Sequence, residues 1–479
     1  MYIFYTFSEK GLELLTYTLV RNIIMYLRAI LGRRAIEVRR LCPQLGALRH
    51  RFVECGRDQL ESGHCSGTMA DVAKKIREHI GVEGGYHAIP KSREGLLKFQ
   101  PDPSDLPERS MIDSQTTASI LLESDALMRE RFVYGGGLLR MGRMMEELDL
   151  LAVWICHRHV FLPKLPKGIP LPYTFVTLLV DHGHFLVEKF KADVDISLSG
   201  HVSWSDDSSM EITAYVRQNG MLLAKAIFMI AARDATNSGP APVNPLTPAN
   251  ELEKCFYHEA LERQKRREGK LPHLETKRKP SKEEEQIMYE VFTRTKGTEG
   301  PTPTDMTALP PDCRWMSNWH RRTLLHPFPE HRNEANTIFG GFIIRNAIEI
   351  AFITASLFSN NYPVIQFISD VTFNHDIPVH SYMKLKAYVV YTQDNYVQLM
   401  TVVDAIDGKS FTQFHSNTLH LTFSCRQKVP EVLPKSYSEA LWYLTGRRYF
   451  QRFLESINRD LEDCGSSPPE NINGEGECI

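Results

Sequence analysis

Two stretches of the chain place an apolar side chain every three or four residues, and each is followed by runs that alternate apolar with polar. In RMGRMMEELDLLAVWIC the residues Met141, Met144, Met145, Leu148, Leu151, Ala152 and Ile155 fall on one face. In GGFIIRNAIEIAFITASLF the same face carries Ile343, Ala347, Ile350, Ala351, Thr354, Leu357 and Phe358. That spacing predicts an amphipathic helix in each stretch. Downstream, FVTLLVD ends at Asp181 and VIQFISD ends at Asp370, both alternating as strands with one buried face. An ungapped comparison then sets VDISLSGHVSWSDDSSMEITAYV, from Val194, against SYMKLKAYVVYTQDNYVQLMTVV, from Ser381; each reads as strand, polar turn, strand. A last strand follows in both, LAKAIFMIAARD and SNTLHLTFSCR. The chain thus repeats one module, a helix followed by antiparallel strands. The fold class is α+β: a long helix wrapped by a curved antiparallel sheet, duplicated, with sheet beside sheet.

Composition shifts mark the boundaries. Residues 53–110 are polar and rich in turn formers, so residues 61–108 read as a poorly packed leader after an N-terminal extension of 1–60. The first helix-and-sheet unit is expected over 109–234. DATNSGPAPVNPLTP opens a linker of 235–314 with charged helices, in which ERQKRREGK and KRKPSKEEE read as a solvated connector rather than a nucleic-acid patch, since Glu is interleaved and no aromatic platform follows. The second unit is expected over 315–428, a helical extension over 429–455 and a disordered polar tail over 456–479.

At 479 residues the chain is too long for one small module, and 42% hydrophobic content supplies two cores. A net charge of -2 excludes a global field for polyanions, so no nucleic-acid partner is expected. Nine cysteines lie singly with no CxxC, which fits free thiols in a reducing compartment. The most apolar run, residues 347–358, contains Glu349 and is short, so no integral membrane segment is expected. Residues 21–52 hold eight arginines and a single acid, Glu37, interleaved with Ile, Leu and Tyr. This is the physical form of a mitochondrial transit peptide and predicts a matrix location; a basic solvated helix or an untranslated extension is the alternative.

Candidate chemistry lies at the two helix entrances. PEHRNEANTIFGGF places Asn333 eight residues before Gly341, the second of the pair Gly340 and Gly341. Paired glycines at a helix N-terminus leave N–H donors and a positive dipole open to a polarised carbonyl or an oxyanion. The plain alternative is an entry turn capped by Asn336 or Thr337. In the first half, GGGLLRMGRMMEELD puts Gly142 in the place of Gly341 and Asp149 seven residues further on. No cation stands three or four residues from Asp149, which suits a general base or nucleophile; an edge acid bonded to a loop amide is the alternative. Glu349, offset by one residue from the counterpart of Asp149, has Arg345 one turn before it and reads as a helix-surface ion pair. His157, His159, His182 and His184 lack further ligands at zinc spacing, so no metal is expected.

These motifs resemble the hotdog-fold acyl-coenzyme A thioesterases, and among them the mitochondrial members. The resemblance rests on RNEANTIFGGF, GRMMEELD, GHVSWSDDSSMEI, the ARD and GPAPVNPL pair, YTQDNYVQ and LPKSY, and runs from about Arg109 to about Phe450. It implies a tandem double hotdog that hydrolyses acyl-coenzyme A to free acid and coenzyme A, without metal or organic cofactor, the thioester being the substrate. It assigns Asp149 and Asn333 to catalysis, Gly340 and Gly341 to the thioester carbonyl, and Gly142 and Glu349 to lesser places in the site. It further implies a homo-oligomer, commonly a trimer. The chain departs from the pattern where Tyr134 stands in the Asn position and Ile348 in the acid position, so neither half holds a full set. The survivors are complementary and predict one composite site per chain. A hotdog hydratase would need an Asp/His signature absent here; a non-catalytic acyl-CoA-binding or regulatory protein is the non-enzyme alternative.

Overall fold

The computed structural model of the chain describes residues 64–81, 92–185, 190–268, 278–295, 308–333 and 336–465. The Arg-rich segment 21–52 and residues 466–479 lie outside them. Contacts divide the chain into one unit of Met1–Asp58 with Asp460–Ile479 and another of Gln59–Arg459. Everything that follows concerns the second, apart from the end of the last helix.

Strand β1 (His64–Thr68) leads into helix α1 (Met69–Ile80), short helix α2 (Met111–Ser114), β2 (Thr116–Ile120) and α3 (Ala126–Phe132). The first long helix, α4 (Met141–His159), precedes β3 (Tyr173–Phe185), β4 (Ile196–Ser205), β5 (Ser209–Gln218) and β6 (Met221–Asp234). Helices α5 (Glu251–Glu268) and α6 (Lys282–Thr295) and strands β7 (Cys313–Trp315) and β8 (His320–Leu325) lead to the second long helix, α7 (Gly340–Ser359). There follow β9 (Val364–Phe373), β10 (Tyr382–Gln393), β11 (Tyr396–Ile406), β12 (Gln413–Ser424), β13 (Glu431–Leu433) and α8 (Tyr437–Gly465).

Eleven strands form one sheet in the order β1-β2-β4-β5-β6-β3-β9-β12-β11-β10-β8. Outward from the β3–β9 junction both sides follow the same path: β3, β6, β5, β4, β2 on one and β9, β12, β11, β10, β8 on the other. Only β1 has no counterpart. Every pairing in this sheet is antiparallel except β1 with β2. The two hairpins expected from the aligned segments are β4–β5 and β10–β11. Alternation sets the buried face: in β10 Met383, Leu385, Ala387 and Val389 are fully buried. Helix α4 packs on β3 to β6, α7 on β8 and β10 to β12, and the helices pack on each other. Helix α7 has the length and apolar composition of a membrane span, yet most of it is buried as a core element.

Four expectations change. The leader is structured: Thr68 and Asp71 form a capping box that starts α1, which buries Met69, Val72, Ile76 and Ile80. Each such side chain contributes about 1.5–3 kcal/mol against the entropy of ordering a segment that polarity alone suggested was loose. The linker is no solvated connector, because α5 lies on the sheet face opposite α4. Its Arg263 and Arg267 reach the fully buried Glu211 on β5, Arg263 at 2.8 Å, and Arg267 also pairs with Asp181. Similarly Arg448 of α8 grips Glu284 of α6 through two bonds of 2.7 Å, holding that carboxyl down to about 2. Leu357, placed on the buried face by periodicity, is 47% exposed, because α7 has no neighbour there among the described residues. Residues 456–465, read as disordered tail, continue α8.

Candidate active site

The two long helices meet at their glycines. A Cβ on Gly142 would sit 2.8 Å from the carbonyl oxygen of Arg345, and one on Gly341 would sit 2.9 Å from Cα of Glu146. Each glycine therefore lies against the other helix one turn further on, and only hydrogen fits there. This contact carries the entrance of α7 to the body of α4, at Asp149.

Asp149 is fully buried. Its Oδ2 accepts the N–H of Gly341 at 2.7 Å, and its Oδ1 accepts the hydroxyl of Thr177 on β3, also at 2.7 Å. The acid is thus bonded to a first-turn amide of the partner helix, not to a loop amide. This also corrects the expected role of Gly341, whose N–H is engaged by Asp149 rather than open to a carbonyl. Gly340 lines the adjoining cavity, and a Cβ there would meet Asp149 Oδ2 at 3.3 Å. The entry-turn alternative does not hold either. Phe339 occupies the N-cap position with no side-chain cap, while Thr337 donates its N–H and hydroxyl to Asn333 Oδ1 at 3.0 and 3.1 Å. That arrangement uses the acceptor of Asn333 and leaves its amide N–H groups as donors.

The cavity measures about 780 Å³. Its lining includes the charged Arg77, Arg143, Glu146, Arg332 and Arg345 with Asn333, and an apolar set of Ala73, Ile76, Leu150, Val153 and Phe175 from the first half and Phe339, Phe342 and Phe373 from the second. Thr177 and Gly340, the neighbours of Asp149, lie in its wall. Arg345 crosses from α7 to Glu146 of α4 at 2.7 Å. Burial pushes the Glu147 carboxyl up, although Arg143 stands 2.8 Å away and pulls it back. Burial, followed by the charge of Asp149, pushes the Cys156 thiol well up.

The corresponding place in the other half is filled. Tyr134, in the Asn position, stacks on Phe352 at 4.4 Å, and with Ile348 in the acid position it borders a void of only about 20 Å³. Gly142 does not line the large cavity. Glu349 pairs with Arg140 at 2.7 Å, not with Arg345 as helical spacing suggested, since the partners available across the helix pair are closer than those along one helix. His157 and His159 are core residues, pushed by burial down to about 3 and about 4, His159 lying 2.9 Å from the Asn244 carbonyl oxygen. Thr177 escaped sequence reading; its one signal was a polar residue at an inward position of a strand otherwise apolar on that face.

Sequence comparison places this arrangement among the acyl-coenzyme A thioesterases. The mitochondrial acyl-coenzyme A thioesterase 9 of Mus musculus is 33% identical over 391 residues, covering 79% of this chain and 88% of its own. That of Homo sapiens is 32% identical over 388 residues with the same coverage. The chain belongs to this thioesterase family. The chloroplastic acyl-coenzyme A thioesterase 2 of Humulus lupulus is 28% identical over 390 residues, covering 77% of this chain and 84% of its own. No family model matches. Among solved structures, the acyl-CoA hydrolase from Staphylococcus aureus in complex with butyryl coenzyme A, coenzyme A and coenzyme A disulfide is 23% identical, covering 32% of this chain and 99% of its own with a TM-score of 0.30. An acyl-ACP thioesterase from Bacteroides thetaiotaomicron is 10% identical, covering 66% and 100%, with a TM-score of 0.39.

Proposed function

We propose that the chain, an acyl-coenzyme A thioester hydrolase by family, works through one composite site between two tandem hotdog units of about residues 109–234 and 315–428. The observation that carries this reading is the carboxylate of Asp149, from the first unit, held by the N–H of Gly341, from the second, beside a large cavity. Asp149 either takes a proton from water or attacks the thioester carbon directly. The bond from Thr177 and that from Gly341 fix the carboxylate's orientation, so little reorganisation is needed as the reaction proceeds. Charge developing on the carbonyl oxygen is met by the Gly340 N–H at the positive end of α7 and by the Asn333 amide. On the first route hydroxide adds to the carbonyl carbon, the carbon–sulfur bond breaks and the coenzyme A thiolate takes the proton from Asp149; on the second the thiolate leaves an acyl–Asp149 anhydride, which water hydrolyses to free acid and carboxylate, the released proton going to the thiolate. Arg332 and Arg345 give the cavity its affinity for the phosphates of coenzyme A. The location is mitochondrial, as the thioesterase 9 relatives' names record, with residues 21–52 as the import segment. Copies associate, and the exposed Ile353 and Leu357 of α7 support a self-contact.

Thiol release from acyl-coenzyme A by purified protein tests the reading. Asp149→Asn should lower kcat by about 10²- to 10⁴-fold, the usual contribution of a positioned base. The Asn amide can accept from Gly341 while donating to the rotatable Thr177 hydroxyl, so Tm should move little. Acyl-coenzyme A binding without thiol release by the wild type would instead identify a non-catalytic binder.

A further inference from the structure

The sheet has five strands on each side of its central junction and one left over. Among the described residues that strand, β1, and the helix that follows it have no counterpart beyond β8, the edge strand at the other end. Helix α1 lies along α4, where His79 meets Trp154 edge-on at 5.1 Å and the Trp154 indole N–H donates to Ser66 at 2.8 Å. Among the described residues nothing covers the matching position on α7: Ile353, which stands where Trp154 stands, is 52% exposed. So β1 and α1 cover the half that bears Asp149, and among the described residues no such pair covers the half whose site is filled.

Helix α1 adds Ala73, Ile76 and the exposed Arg77 to the cavity. Ala73 and Ile76 line it together with Leu150 and Val153 on α4 and Phe175 on β3. Ile76, Val153 and Phe175 are almost fully buried, whereas Ala73 is half-buried. Phe175 in turn packs edge-on against the neutral His157 at 4.8 Å, which closes the wall behind it. Val153 lies one helical turn beyond Asp149, so the apolar compartment starts at the reacting group and extends about 6 Å along α4 before α1 is reached. An apolar wall that starts at the reacting group suits the hydrocarbon end of a ligand that is charged at its other end.

We infer that α1 is the stop that sets acyl length: the hydrocarbon chain of the substrate lies along Leu150, Val153 and Phe175 and ends on Ala73 and Ile76. The inference rests on the hydrolase reading for its substrate, and it makes short to medium saturated acyl groups the preferred class. Ala73 is the more informative of the two residues, since a larger side chain there points into the compartment without emptying the core, as Ile76→Ala would.

The test uses the full chain and two readouts over a series of saturated chains from two to sixteen carbons: thiol release from the acyl-coenzyme A thioesters, and affinity for the non-hydrolysable S-alkyl-coenzyme A thioethers. Ala73→Phe should shift the longest accepted chain downward in both readouts. kcat/KM and affinity should fall 10- to 100-fold for the longest chains bound by the wild type, the scale on which apolar pockets reject excess length, and stay within about twofold for acetyl. Ile76→Ala should move the limit upward. A folded Ala73→Phe protein with the wild-type length profile, or with an equal loss at every length, overturns the inference. A length limit that shifts in thioether binding while no thioester is hydrolysed upholds the stop and overturns the hydrolase reading instead. Absence of all thioether binding overturns both.

Discussion

The residue on which most depends is Asp149, and its surroundings show why a single substitution can separate chemistry from stability. Its two oxygens are held by one backbone N–H and one hydroxyl, each at 2.7 Å. Thr177→Val keeps the side-chain volume and deletes only the hydroxyl, removing one of the bonds that orient the carboxylate. Hydrogen bonds to charged groups contribute about 1.5–3 kcal/mol, so kcat should fall roughly 10- to 100-fold with KM nearly unchanged. Glu349→Gln is the matched control. It breaks the bond to Arg140 outside the cavity, at a pair 30% and 23% exposed, and should cost at most about 1 kcal/mol of stability while turnover stays within twofold. Comparable losses of turnover in the two variants would remove Asp149 and Thr177 from the centre of the mechanism. Asp149 was legible in the sequence because an acid on the edge of an apolar helical stripe with no cation nearby is unusual. Thr177 was not, since threonine is common in strands and its partner lies on another element.

At the scale of elements, the contact between α4 and α7 is where a repeat has become a specific pair. Glu146 and Arg345 stand at equivalent positions, each four residues after the glycine that its partner helix presses against, yet they carry opposite charges and meet at 2.7 Å. Two identical helices would have brought like charges together at this spot. Arg345→Glu should therefore destabilise the protein by about 2 kcal/mol, read as a lowered Tm, by facing two carboxylates at a partly buried site. Adding Glu146→Arg should recover most of the loss, leaving only the repulsion from Arg143. Failure of the double variant to recover would mean that the pair does not select the helix contact. Helical periodicity revealed both helices and their register. The exposure of Leu357 could not be read from it, because periodicity reports which residues share a face and not whether another element covers that face.

For the whole molecule, the spread of buried neutral histidines sets the response to acid. His157, His201 and His420 are each pushed by burial down to about 3, and His159 to about 4, from an ordinary value of 6.5. Because these pKa values are depressed on folding, the unfolded chain binds the extra protons between about pH 6.5 and the folded values. Stability is then complete above pH 6.5 and declines as pH falls, by up to about 1.4 kcal/mol per pH unit for each histidine. Tm should drop steeply between pH 6.5 and 4.5. His420→Phe, which preserves stacking on Tyr449, should flatten that slope. A Tm independent of pH over this range would show that the histidines are reached by water in the native state.

What the sequence determined was everything carried by local spacing: two helices with a shared register, two hairpins, a glycine at each helix entrance, paired in the second, and the complementary loss of Asn in one half and acid in the other. Spacing of this kind is enforced by the geometry of a single helix or strand, so it survives in the order of residues. Tertiary structure alone decided which donor Asp149 uses, that Arg345 turns to Glu146 rather than Glu349, and that Tyr134 and Phe352 fill the second site. It also decided that the polar leader folds into a strand and helix against α4, and that the charged linker anchors on the buried Glu211. These depend on which surfaces meet across long stretches of chain. Burial and pairing are properties of two elements together, and neither element's own pattern records the partner it will meet.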